Sequence, residues 1–521
     1  MTALRAAWIS TVLILVLFLT NPCTPSEGSY GSERPSQEDG SGSVEPLHVT
    51  VEEAVLMALE NNKGLRVDRL TPQIQRTFED QERAVFDPVI DAEGTWSEEK
   101  APMETTPSQD AKTDQAGIDV GASQFFATGT EVRIGLTANR MWSNRFDPRY
   151  STRAGLSLTQ ALLRGRGREI NLAALRQAEL STRVSHYEFR GLSESLAAHT
   201  EEAYWNCVLA QRQLRIFEDS VNLARRQLDE TREIVRVGRL PETELVAAQA
   251  ELALRRQELI DARNETALAK LRLLRLINPP ETGLRSRELV FKDDPIVPDI
   301  ELDDVVSHEE LALRMRPDLN QARLAARLEE LEVVKTRNGL LPRMDLFISL
   351  GKTGYAESFG RSVNELSGDH YDAAAGLRFE FPVRNRDRKA RHERAALTNL
   401  QAREALDNLA QLVALDVRTA HIKLDTALQQ INATRATRKL EEEKARIETE
   451  KFRVGRSTSF LVAQAQRDLL RSRIQEIQAV VTVLKALVDL YRLEGSLLER
   501  WGIQAQGQGP DDPGFEPPGD G

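Results

Sequence analysis

The chain has 521 residues, of which 40% are apolar, 5% aromatic and 29% charged, and its net charge is -11. So few core formers over that length argue against several compact globular domains, and the abundance of Ala, Leu, Glu, Arg and Gln favours long helices with solvated faces. Positive and negative side chains are evenly mixed, which excludes a nucleic-acid-binding surface as the organising feature.

Residues 1–23 open with one Arg, continue in an apolar run from Ala6 to Leu19 and end in Pro and small polar residues. That run is shorter than the ~20 residues a bilayer-spanning helix needs, and it reads as a secretory signal peptide, with a signal anchor as the alternative. Cys23 raises the question of N-terminal lipidation, but the Thr-Asn-Pro before it matches the small-residue lipoprotein pattern poorly. Residues 24–46 and 503–521 are rich in Ser, Gly, Pro and acidic side chains and are expected to be disordered. Cys207 sits in a helical pattern and reads as a small packed hydrophobe, with no second mature cysteine to pair with.

The rest of the chain repeats itself. "NNKGLRVDRL" from Asn61 resembles "MRPDLNQARL" from Met315, and "FDPVIDAEG" from Phe86 resembles "LLPRMDLFI" from Leu340, both at an offset of 254. "YSTRAGLSLTQALL" from Tyr150 resembles "YDAAAGLRFEFPV" from Tyr371 at 221, and Gly238 pairs with Gly455 at 217. The fall from 254 to 221 places 33 extra residues of copy one ahead of Tyr150. Four matches in one order indicate a duplication: repeat one over 47–277, a linker over 278–305, and repeat two over 306–502.

Between helical stretches lie segments with period-2 alternation: Ile118, Val120, Ala122; Val132, Ile134, Leu136, Ala138; Ala154, Leu156, Leu158; Met344, Leu346, Ile348, Leu350; and Leu377, Phe379, Phe381. Each is about 8 to 11 residues, the length of a tilted membrane strand, although a half-buried strand of a soluble sheet alternates in the same way. Trp96, Met141, Trp142, Phe146, Tyr150, Tyr355 and Tyr371 near their ends suit an interfacial girdle, and 97–115 and 352–370 suit external loops. So few strands cannot close a barrel alone, so several chains must contribute.

Helical patterns follow each strand set. One runs from Arg168 to about Arg236, with a seam at Leu214, Phe217, Val221, Ala224, Leu228, Thr231 and Val235. Another runs from Arg388 to Arg453, and a return helix from Ser457 to about Leu498 carries a seam at Leu470, Ile474, Ile477, Val481, Leu484, Val488 and Tyr491. Spacing that holds to 3.5 demands a coiled-coil neighbour, and the longer runs reach ~100 Å. Gly238 and Gly455, each inside R-V-G-R, sit where a long helix stops and its antiparallel partner begins, because glycine takes the left-handed cap without penalty. Pro241 after the first, and Ser457 or Ser459 after the second, fit a helix restart.

With these features the chain resembles the TolC family of outer membrane efflux proteins. The resemblance is carried by the twofold repeat, "TVEEAVLMALENN" at Thr50, "AVFDPVIDAEGTW" and "GLLPRMDLFISLG" entering strands, "LSLTQALL" leaving one, and the paired V-G-R tips, and it covers about Leu47 to Gly502. It implies an α+β membrane protein: a homotrimeric outer-membrane β-barrel continuous with a long periplasmic α-helical coiled-coil barrel. It also implies docking, through tips Val237, Gly238, Arg239, Val454, Gly455 and Arg456, to a periplasmic membrane-fusion adaptor and an inner-membrane pump of RND, ABC or MFS type.

Family barrels take two strands per repeat, so the extra segments near 117–126 and 130–140 either enlarge the barrel or form a side hairpin, and enlargement is favoured. Acidic side chains just past family tips narrow the tunnel aperture. Glu244 matches one such position, while Leu461 and Gln464 occupy the corresponding places in repeat two, which puts a full carboxylate ring in doubt.

Arg164, Arg166 and Arg168, and Arg384, Arg386 and Arg388, fall at the strand-to-helix junctions, where cations oppose the helix dipole and call for anionic lipid headgroups or carboxylates of neighbouring chains. The seven histidines show no ligand spacing and no nucleophile or phosphate-loop motif occurs, so no enzyme, cofactor or metal site is expected. A soluble periplasmic coiled-coil protein remains the rival reading. The sequence leaves the cargo and the pump class open.

Overall fold

A computed structural model describes residues 47–102, 110–143, 146–279, 289–297 and 302–503. The expected signal peptide, the 24–46 linker, Cys23, the tail beyond 503 and parts of the 278–305 linker lie outside these residues. The first half contains β1 (Leu47–Val49), α1 (Val51–Asn61), α2 (Lys63–Asp68), α3 (Thr71–Ala84), β2 (Val89–Pro102), β3 (Asp110–Phe126), β4 (Thr130–Ser143), β5 (Phe146–Ala161), α4 (Arg168–Asn171), α5 (Ala173–Arg236) and α6 (Glu242–Ile277). The second contains β6 (Leu289–Phe291), α7 (Val305–Met315), α8 (Pro317–Gly339), β7 (Arg343–Ala356), α9 (Phe359–Asn364), β8 (Tyr371–Glu380), α10 (Arg386–Arg453), α11 (Ser459–Glu494) and α12 (Leu497–Arg500).

The two halves share backbone detail at the sequence offsets. Thr50 opens α1 with a reciprocal capping box: Glu53 N–H donates to its Oγ1 at 3.1 Å and its own N–H donates to Glu53 Oε2 at 2.9 Å. The chain then leaves helical geometry at Asn62 (φ -62°, ψ 121°) and does so again 254 residues later at Arg316 (φ -59°, ψ 123°). Helices α6 and α11 are each 36 residues and begin and end 217 apart, each closed by a left-handed residue, Asn278 and Gly495.

Six strands form one antiparallel sheet in the order β2-β3-β4-β5-β7-β8, and β1 pairs with β6 in parallel beside the helices. Strands β2, β3, β4, β5 and β7 run to 14, 17, 14, 16 and 14 residues, longer than the alternating cores predict. The β2–β3 ladder continues from Ser97↔Gln115 to Pro102↔Asp110, through a stretch expected as loop. Where both faces are wet the ladder needs no apolar face, so alternation stops before the strand does.

Helices α5 (64 residues) and α10 (68 residues) are each ~100 Å long. The first long helix is interrupted at Leu172, α10 starts two residues earlier than expected, and α11 stops at Gly495, leaving Leu498 on the separate turn α12. Helix α11 buries two sides rather than one seam. Val481 and Leu484 join Tyr204, Trp205, Leu273 and Ile277 of the first hairpin, whereas Val483 and Leu490 join Val413, Val417 and Leu424 of the second. A helix wedged between two neighbours is an element of a curved wall, and each buried Leu or Val there contributes about 1.5–3 kcal/mol. At the waist, Asp293 of the inter-repeat linker accepts from Val51 N–H (2.7 Å) and Tyr204 O–H (2.9 Å), tying the linker to α1 and α5.

Candidate pore wall and docking tips

The ladders align side chains into two unlike faces. Ala92, Val120, Leu136 and Ala154 share one row, and Ala122, Ile134, Leu156 and Leu350 share the next on the same face. Ile90 is 77% exposed and Ile134 61%, a contiguous apolar surface of a kind that soluble monomers rarely show. Between Val132 and Trp142 this face spans ~33 Å along the strand, or ~25 Å of height at a tilt near 40°, the thickness of an outer-membrane band. Arg140 at its rim lies over Trp142 and Tyr150, 4.7 and 5.5 Å from their ring centroids, the polar-tipped aromatic arrangement of an interface.

The opposite face is polar. Arg133 donates to both carboxylate oxygens of Asp91 (2.7 and 2.6 Å) and to Asp119 (3.1 Å), and Arg153 donates to both oxygens of Asp372 (3.1 and 2.6 Å). None of these ion pairs is visible in the sequence pattern, because each joins strands 14 to 219 residues apart.

At the base of the sheet the structure brings some of the expected arginines together and leaves others apart. Arg164 and Arg388 lie close enough to interact, with Arg343 and the carboxylates Glu380 and Asp345 beside them; burial first, then the charge of Arg388, holds the Arg164 guanidinium below its ordinary range. Arg388 is 3.8 Å from Glu380, and Arg343 donates to Asp345 at 2.7 Å, so carboxylates of the same chain supply part of the compensation. Sequence reasoning missed Arg343, Asp345 and Glu380, since a charged residue at or near a strand end carries no motif. Arg166, Arg168, Arg384 and Arg386 are exposed.

At the far end both tips close in the same way. Val237 and Val454 end the helices, Gly238 and Gly455 both stand at φ +74°, and the N–H of Arg239 and of Arg456 donates back to Ile234 (3.1 Å) and Lys451 (2.8 Å). Val237 and Val454 are 60% and 69% exposed. Pro241 stands immediately before α6, but the second restart is capped by Thr458, whose Oγ1 accepts from Leu461 N–H at 3.4 Å, and not by Ser457 or Ser459. Those two serines are engaged elsewhere: Ser457 donates to Glu448 (2.9 Å) and Ser459 to Glu244. Glu244 therefore ties the two hairpins together in the single chain. Leu461 and Gln464 are exposed, and Val462 and Ala465 between and beside them are buried. Cys207 is buried, its thiol pushed up to about 12 by desolvation, as suits a packed hydrophobe.

Among the described residues no helix is long and apolar enough to cross a membrane. Among solved structures the fold is similar to the CmeC outer membrane channel of Campylobacter jejuni (TM-score 0.64, 16% identity, 86% of each chain) and to the outer membrane protein VceC of Vibrio cholerae (TM-score 0.63, 15% identity, 85% of this chain and 96% of that one). In sequence, the alkaline protease secretion protein AprF of Pseudomonas aeruginosa is 26% identical over 205 residues, a match spanning 38% of this chain and 40% of that relative's length. The profile of the outer membrane efflux protein family matches residues 55–279 and 310–496, most of the chain, and the chain belongs to that family.

Proposed function

We propose that three copies assemble into an outer-membrane exit duct, whose sheets close one β-barrel and whose helices extend through the periplasm as a single tunnel. The observation that carries this reading is one sheet with an apolar and a polar face, open at both edges, joined to two helical hairpins whose longer arms are each ~100 Å. An open edge in hydrocarbon leaves rows of unpaired backbone groups, each costing several kcal/mol, so the sheet must close with other copies. The exposed apolar face disfavours the soluble coiled-coil reading.

In this reading the tips Val237–Arg239 and Val454–Arg456 dock a periplasmic membrane-fusion adaptor linked to an inner-membrane pump of RND, ABC or MFS type. Glu244, Leu461 and Gln464 border the aperture, and three Glu244 carboxylates near one axis favour cations there. The partial match to AprF adds protein secretion to small-molecule efflux as a candidate duty.

The full-length protein is expected to fractionate with outer membranes, to run as a detergent-resistant trimer and to carry current across a planar lipid film. V237D/V454D is expected to keep that trimer and lose cross-linking to its adaptor. A water-soluble monomer overturns the duct, and undiminished cross-linking overturns the assignment of the tips.

A further inference from the structure

The hairpin β3–β4 has no counterpart in the second half, and it accounts for the extra residues of repeat one. Resting on the trimeric-duct reading above, we propose that this hairpin is part of the pore wall, so that each copy supplies six strands and three copies close an eighteen-stranded barrel. Four observations carry the proposal.

First, the hairpin lies between β2 and β5 with unbroken ladders on both sides, from Val89↔Ser123 to Pro102↔Asp110 and from Thr130↔Gln160 to Met141↔Arg149. A side hairpin would need β2 to pair with β5 directly, and it does not.

Second, the turn at the hairpin's inner end is fixed to the base of the wall. Gly129, at φ +84°, accepts from Ala161 N–H at 2.9 Å. Thr128 accepts from Gly167 N–H at 3.2 Å, and Asn171 Nδ2 donates to Ala127 at 2.9 Å. The glycines of "RGRGR" thus receive the inserted turn: a Cβ on Gly129 would lie 2.3 Å from the Gly165 carbonyl oxygen.

Third, both faces run through the hairpin without a break. Ile118, Val120, Ile134 and Leu136 continue the apolar face of Ala92, Leu156 and Leu350, and Asp119, Arg133 and Thr137 continue the polar one. On the polar face Gly121, Gly135, Gly155 and Gly351 form one row across four strands, flanked by Asp91 and Asp372. The Arg133 guanidinium lies over Gly121, where a Cβ would sit 2.6 Å from Nη2, and reaches Asp91 two strands away. Arg153 lies in the same way over Gly351. The wall is thin at that level and its charge hugs the backbone, which suits the lining of an open bore.

Fourth, the free edges match. Strand β2 leads away from the helices and β8 leads back to them, so β8 of one copy meets β2 of the next antiparallel, and an even number of strands per copy preserves the alternation at every seam. Barrel diameter grows about linearly with strand number, so eighteen strands give about one and a half times the width of twelve and fall in the range of barrels with an aqueous channel.

The test is strand counting and pore labelling on the intact trimer. Electron cryomicroscopy in lipid nanodiscs should show eighteen strands, and a variant lacking residues 103–145, which joins the outer ends of β2 and β5, should show twelve. On β4, T137C should react with a membrane-impermeant cationic thiol reagent and lower the single-channel current. Its neighbour L136C should leave the current unchanged. A conducting trimer with twelve strands, or a silent T137C in a conducting channel, overturns this proposal alone. A wild-type chain that neither trimerises nor conducts overturns the duct and the hairpin's role together.

Discussion

Four of the described helix ends turn on a left-handed glycine, Gly238, Gly455, Gly495 and Gly502, and the first three differ in what surrounds it. At Gly238 and Gly455 an added Cβ meets nothing within 4 Å, so G238A or G455A carries only the cost of the left-handed conformation, about 1–2 kcal/mol. At Gly495 the same Cβ would lie 2.9 Å from Arg316 Cα and 3.0 Å from Arg316 N, where α11 ends against the break between α7 and α8. Backbone cannot yield as a side-chain tip does. G495A is therefore expected to lose most of its detergent-resistant trimer in a heating series, while the two tip variants shift the melting point by a few degrees at most; equal behaviour of all three would refute the distinction. The tip glycines are legible in the sequence because a cap is local, written within six residues. The Ser459–Glu244 bond is not, because it joins residues 215 apart and depends on how two hairpins pack.

At the scale of elements, the heptads locate the long helices but not their neighbours. The seam at Val481, Leu484 and Val488 is readable, whereas the second side, Val483 and Leu490, emerges only once α11 is seen between two hairpins. The strands are readable where one face is apolar and unreadable beyond it, since alternation reports one apolar face and not pairing.

Where α5 passes the waist, burial creates a pH dependence that no pattern announces. Glu201, beside Trp205 and Trp501, has its carboxyl pushed up to about 7, first by desolvation and against the hydrogen bonds from those two rings; the nearby Glu202 adds to the rise. Glu194 is also pushed up to about 7: desolvation outweighs its bond to the buried Arg190 (3.1 Å). A carboxyl whose folded value lies above its ordinary value near 4.5 favours the protonated native state. Its contribution is complete below that value and is lost as pH rises through about 7. The melting temperature should fall between pH 5 and pH 8, and E201Q, neutral at every pH, should flatten much of that slope. A wild-type profile already flat over this interval would count against the assignment.

For the whole molecule, the proposed duct gives the arginines at the sheet–helix junction the role of setting how it sits in the membrane. The apolar face ends below near Val132, Leu158 and Phe379, and Arg166, Arg168, Arg384 and Arg386 stand exposed just past the strand ends, where the proposed duct would meet the inner-leaflet headgroups. Arg388 differs, since it faces Glu380 inside the chain and is crowded by Arg164. Exposed cations beside anionic headgroups are worth about 1 kcal/mol each, and three copies multiply the effect. The variant R384Q/R386Q/R388Q should therefore lower the yield of trimer in outer membranes several-fold, and R384Q/R386Q should account for most of the loss. R388Q alone should cost little, because removing it relieves Arg164 while leaving Glu380 within reach of solvent. Quantifying trimer in membrane fractions against total chain separates the cases. If the triple variant assembles as well as the wild type, headgroup contact at this level is dispensable and the apolar face with its aromatic rim suffices to hold the barrel in place.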